Sequence, residues 1–179
     1  MVAEPHLRAE VPDLHSLLVE MISMVLGEES TPTTPHTLPV LPLAVSRLIV
    51  HDVADDSYVG VEVRAAAELV STLAAGLLGV ADPAPDDMLD VIAELGNIAA
   101  GNIKTMLCGD GRLSLPSAAL QTERPSDPVG SVRGTALVLG HVIELVVMPL
   151  TGAKETLAQV RWPGGPAPGE PHFGHLVGR

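Results

Sequence analysis

Residues 86–107 read DDMLDVIAELGNIAAGNIKTML, and wound as a helix at ~100° per residue the stretch sorts into two faces. Asp90, Glu94, Asn97, Gly101 and Lys104 fall within about 40° of one line on that wheel. Met88, Leu89, Ile92, Leu95, Gly96, Ala99, Ile103, Met106 and Leu107 fill the opposite side, the pattern of a core-facing stripe. One face buries itself; the other presents acids, an amide, a bare glycine and a lysine. Asp86 or Asp87 is placed to cap the first turn, and Gly109 follows the last periodic residue as a stop.

Working outward from this helix, the preceding segment Ala65 to Leu78 has Ala66, Leu69, Val70, Leu73 and Leu77 at helical spacing, with Gly79 ending it. Asp82 to Pro85 (DPAP) separates the two helices. Further upstream, Leu41 to Val50 is rich in β-branched residues. Tyr58 to Arg64 alternates Val59, Val61 and Val63 with Tyr58, Gly60, Glu62 and Arg64. Joined by the turn DVADDS, 52–57, these two runs predict an antiparallel hairpin. At the start, Asp13 caps a helix through Leu14, Leu17, Leu18, Met21, Ile22 and Val25 that stops at Gly27. Glu28 to Leu38 reads as a loop.

Downstream, an extended piece runs through Leu113, Leu115, Pro116 and Leu120. Val132 to Leu139 and Val142 to Pro149 flank Gly140-His141, which predicts a type II′ hairpin. Thr151 to Val160 reads as a last short helix. The sum is an α+β fold with long helices packed on an antiparallel sheet. The expected organisation is a flexible tail at 1–11, one folded domain at 12–162, and a disordered Pro/Gly-rich tail at 163–179. Ser16, Glu20 and Ser23 on the first helix repeat the spacing of Asp90, Glu94 and Asn97, with Gly27 echoing Gly101, which predicts pseudo-duplicated halves.

Composition narrows the partners. The net charge is −12, ten Lys and Arg against twenty-two Asp and Glu. Such a surface repels phosphodiester backbones and anionic lipid, so neither nucleic acid nor a membrane surface is an expected partner. Cys108 is the lone cysteine, so no intrachain disulfide forms and a reducing compartment is expected. Met1 to Pro12 carries Glu4, His6, Arg8 and Glu10 with no apolar run, unlike a signal peptide. The uncharged stretch Leu69 to Ala81 is too short to span a bilayer. These features predict a cytoplasmic protein. His172 and His175 make a poor metal site without further ligands, Gly109-Asp110-Gly111 is too short for a phosphate loop, and Cys108 reads as packing rather than nucleophile.

By themselves Glu94 and Asn97 read as solvation of a helix face, and Asp90 is equally explained as the N3 member of a cap with Asp87. Gly101 resists that reading, because glycine within an exposed helix stripe costs about 1 kcal/mol relative to alanine. A partner that needs close approach accounts for it.

The string ELGNIAAGNIKTML followed by LSLP resembles the signature of the CheC/CheX/FliY family of chemotaxis phosphatases. In that motif an Asp or Ser is followed after three residues by Glu and after two more by Asn, with a proline downstream. Asp90, Glu94, Asn97 and, more loosely, Pro116 meet it. YVGVEVRAAAELVSTLAAGLLG and GHVIELVVMPL resemble the flanking elements, so the resemblance spans roughly residues 13 to 150. It implies hydrolysis of the phosphoaspartate of a CheY-type receiver domain. The receiver would supply Mg²⁺ and a lysine, and the phosphatase would need no cofactor of its own. On this implication Glu94 engages the receiver lysine, Asn97 orients the attacking water, and Asp90, Gly101 and Lys104 contact the partner. On the first helix a serine, Ser23, stands where the asparagine should be, so that second site is expected to be dead. One site on the second long helix resembles the CheX branch, whose members pair through sheet edges, which implies a homodimer.

Overall fold

A computed structural model of the chain describes residues 14–27, 30–32, 39–107 and 111–150. Among them run α1 (Leu14–Leu26), β1 (Ser30–Pro32), β2 (Leu43–Asp52), β3 (Ser57–Ala66), α2 (Ala67–Leu78), α3 (Pro85–Leu107), β4 (Arg112–Leu113), β5 (Ser117–Gln121), β6 (Val132–Val138) and β7 (His141–Pro149). The fold is α+β. The strands form one seven-stranded sheet in the order β1-β6-β7-β3-β2-β4, with β5 also paired to β2, and every pairing is antiparallel.

The alternation read from β3 explains the layering. Val59, Val61, Val63 and Ala65 point into one apolar cluster with Leu18 and Ile22 of α1, Leu69 and Val70 of α2, and Ile92, Leu95, Ala99 and Ile103 of α3. The helices therefore lie on one side of the sheet, α1 over β6, α3 over β2 and β3, and α2 against α3. Where α3 crosses β2 the approach is close. A Cβ on Gly96 would meet Ser46 Oγ at 2.2 Å and Leu48 Cδ1 at 2.9 Å, so this position tolerates no side chain.

The other face of the sheet is also buried, by charge rather than by hydrocarbon. Arg47 stands directly across from Glu62, and Arg64 from Glu144, cross-strand pairs of opposite sign. Arg64 and Glu144 are fully buried and Glu62 nearly so. Glu62 bridges Arg47 and Arg64. Arg64 Nη1 lies 2.7 Å from Asp127 Oδ1, Arg124 Nη2 donates to both oxygens of Glu144 at 2.5 Å, and Arg133 pairs with Asp127 and with Glu144. Arg124 and Asp127 belong to the segment between β5 and β6, so the network straps that segment across the sheet. Burial raises the Asp127 carboxyl, but hydrogen bonds and charges from Arg64 and Arg133 outweigh it and hold the group below its ordinary value.

Several sequence expectations need correction. Within the segment read as a loop, Ser30–Pro32 pairs with β6. The β6–β7 turn is centred on Leu139 and Gly140, both with positive φ (49° and 79°), with Val138 paired to His141. That is a type I′ geometry one residue earlier than expected, since two left-handed residues match the strand twist. Leu77 is exposed rather than core, as is Met106, because each lies at the end of its helix where the sheet no longer covers it. The Asp13 cap, the Gly109 stop, Cys108, Asp110, the helix at 151–160, His172, His175 and both tails, with the domain boundaries beside them, lie outside the described residues. No helix among the described residues is long and apolar enough to cross a membrane.

Candidate functional site

The start of α3 settles which acid caps it. Pro85 occupies the first helical position, where a missing N–H costs nothing. The Ala84 N–H donates to Asp87 Oδ2 at 2.8 Å, the reach-back half of a capping box. Asp87, not Asp90, is the capping acid. That leaves Asp90 exposed, one turn before Glu94, with no hydrogen-bond or ion-pair partner among the described residues.

Burial of Ile92, Leu95, Gly96, Ala99, Ala100 and Ile103 anchors the inner side of α3 and turns the polar stripe outward. Glu94 is exposed and Asn97 half-buried, and the Asn97 amide nitrogen lies 3.4 Å from Glu94 Oε2. At that length the bond is weak, and both side chains keep most of their hydrogen-bonding capacity. One turn further on, a Cβ on Gly101 would meet nothing within 4 Å. Among the described residues nothing demands a glycine there. Lys104 closes the stripe, half-buried and without an ion-pair partner among the described residues. The stripe thus runs from acidic, through amide and bare backbone, to basic. Ser16, Glu20 and Ser23 are exposed on α1, which lies over β6 rather than over β2 and β3. Pro116 sits at the sheet edge beyond Ser114, whose N–H donates to the Ile49 carbonyl at 2.9 Å.

Residues 50–136 match the family model described as chemotaxis phosphatase CheX. That match marks the chain as CheX-like. Its fold is similar to that of the chemotaxis protein CheX from Vibrio vulnificus, with a TM-score of 0.63 at 11% identity over 78% of this chain and 95% of that one. A CheC-like chemotactic protein from Shewanella oneidensis matches with a TM-score of 0.56 at 12% identity, over 78% and 97% of the two chains. CheX in a CheX–CheY–BeF₃–Mg²⁺ complex from Borrelia burgdorferi matches with a TM-score of 0.54 at 16% identity, over 74% and 92%. No curated protein matches the chain.

Within this CheX-like fold the stripe has one feature that helical periodicity does not reveal. The end of α2 and the first half of α3 enclose a cleft of about 240 Å³ lined by Leu77, Leu78, Val91, Leu95, Asp87, Asp90 and Glu94. The signal available in the sequence was Leu77-Leu78 standing next to the Gly79 stop, too late in α2 to be covered. Among the described residues, no group of three or more His, Cys, Asp or Glu side chains could hold a metal ion.

Proposed function

We propose that this CheX-like chain is a phosphatase that hydrolyses the phosphoaspartate of a CheY-type receiver domain in chemotaxis or another two-component pathway, acting in the cytoplasm. The observation that carries the proposal is the Glu94–Asn97 pair, solvent-accessible one turn apart on a helix fixed by its buried face, with open space beside Gly101. A carboxamide both donates and accepts, so Asn97 holds a water in line with the scissile P–O bond. A carboxylate at that position would repel the phosphoryl oxygens. One turn back, Glu94 instead pairs with the receiver lysine. Gly101 lets the receiver backbone approach, while Asp90 and Lys104 contact its flanks. Mg²⁺ belongs to the receiver, and the chain works without a cofactor of its own. Pairing of two copies through sheet edges, where β1 and the β4/β5 side lie, is part of the same reading. The Borrelia CheX, crystallised with CheY, BeF₃ and Mg²⁺, supports the choice of partner class.

The test is the decay of phosphorylated receivers from the same organism with and without the full chain. Accelerated decay of at least one receiver supports the phosphatase. Saturable binding with unchanged decay would instead make the chain a receiver-binding or motor-associated module of the same fold.

A further inference from the structure

The cleft between α2 and α3 has a chemistry of its own. It is lined by the apolar Leu77, Leu78, Val91 and Leu95 and by the carboxylates of Asp87, Asp90 and Glu94, with no base among these lining residues. Leu77 and Leu78 are 62% and 53% exposed, so two adjacent leucines face water beside three carboxylates. We propose that this cleft seats a lysine or arginine side chain of the receiver, distinct from the lysine that Glu94 engages; the proposal rests on α3 being the receiver-docking face.

Three observations converge on that occupant. The cleft is mixed in chemistry, with Leu77 and Leu78 from α2 facing Val91, Leu95 and three carboxylates from α3. This suits a side chain with a hydrocarbon stem and a cationic head, whose stem covers leucine while its head stays hydrated. The sign of its charged lining disfavours a phosphate, an acidic peptide or an anionic lipid surface, and a chain of net charge −12 reinforces that exclusion. Finally, the cleft is continuous with the proposed catalytic stripe, because Glu94 belongs to both. Asp90 precedes Glu94 by four residues, about 6 Å along the helix axis. A cation at the Asp87–Asp90 end is therefore a second contact and leaves Glu94 free for the first. Such a contact would select among receivers by whether they carry a basic residue at the matching distance from the phosphorylated aspartate.

The probe is Nα-acetyl-lysine methylamide, titrated into the full chain with labelled Leu and Val methyl groups. Two controls are its Nε-acetylated analogue, which keeps the stem and loses the charge, and methylammonium, which keeps the charge and loses the stem. The expected result is saturable movement of the Leu77, Leu78 and Val91 methyl resonances with the lysine probe alone, weakened by salt. Leu78→Asn and Asp90→Asn should each weaken binding about fivefold, while Asn97→Ala leaves it unaltered. With a receiver that the chain dephosphorylates, Leu78→Asn should raise KM about fivefold. Absence of saturable shifts, or equal shifts with the acetylated analogue, overturns the cleft proposal even if receiver decay is accelerated. Lysine-specific shifts without accelerated decay of any receiver support the cleft and count against the phosphatase reading.

Discussion

Gly96 of α3 lies so close to Ser46 of β2 that an added Cβ would stand 2.2 Å from the serine Oγ, whereas five residues later a Cβ on Gly101 would touch none of the described residues. The two glycines of one helix therefore answer to different constraints, one inside the chain and one outside it. Gly96→Ala should lower unfolding stability by about 1–3 kcal/mol in urea titrations, because the helix must lift from the sheet. Gly101→Ala should raise stability by up to about 1 kcal/mol and slow receiver dephosphorylation. Equal stability changes in the two variants would contradict this assignment.

The helix, its two faces and its neighbours were legible in the sequence because periodicity reports burial on one side. Asp90, Glu94, Asn97, Gly101 and Lys104 lie along the outward face of α3 as the 3.6-residue repeat requires. The charge layer was not legible. Glu62 and Arg64 occupy the polar phase of a clean two-residue alternation, and alternation does not say whether that phase meets water or other strands. Only register, which sets Arg47 across from Glu62 and Arg64 across from Glu144, identifies those residues as interior. The cleft escaped for a related reason. It is formed between two helices, and neither helix alone encodes the angle at which α2 ends against α3.

That charge layer should be sensitive to removal of a single member. Arg64 is fully buried and meets Glu62, Asp127 and Glu144. Replacing it by methionine strands buried carboxylates without their cation. Arg64→Met should cost about 3–5 kcal/mol by denaturant unfolding, far more than an exposed ion pair would.

Asp127 gives the same layer a pH signature. Its carboxyl is held below its ordinary value in the folded protein despite partial burial, through Arg64 and Arg133. The unfolded chain therefore takes up this proton first as pH falls. The stabilisation is complete above the unfolded-state value of about 3.9 and is lost as pH drops through the lower folded-state value. Urea unfolding between pH 6 and pH 2, run at intervals on both proteins, should show a steeper acid limb for the parent chain than for Asp127→Asn. Parallel limbs would contradict the assignment.

The β6–β7 turn carries a removable strain. Leu139 has a φ of 49° and is 47% exposed, so a leucine occupies a left-handed position without a buried contact that requires it. Leu139→Asn, which produces Asn-Gly at the centre of a type I′ turn, should raise stability by about 1 kcal/mol, read as a higher denaturant midpoint at unchanged m-value.

Asn97 acts only once a receiver is bound. The decisive measurement is the single-turnover decay of a saturating complex between the chain and its phosphorylated receiver, set beside the affinity of the same variants for the beryllofluoride-activated receiver. Asn97→Ala should slow decay by about a hundredfold while leaving affinity within a few-fold of the parent chain. Undiminished decay in that variant, with binding intact, would contradict the claim that the α3 carboxamide orients the attacking water.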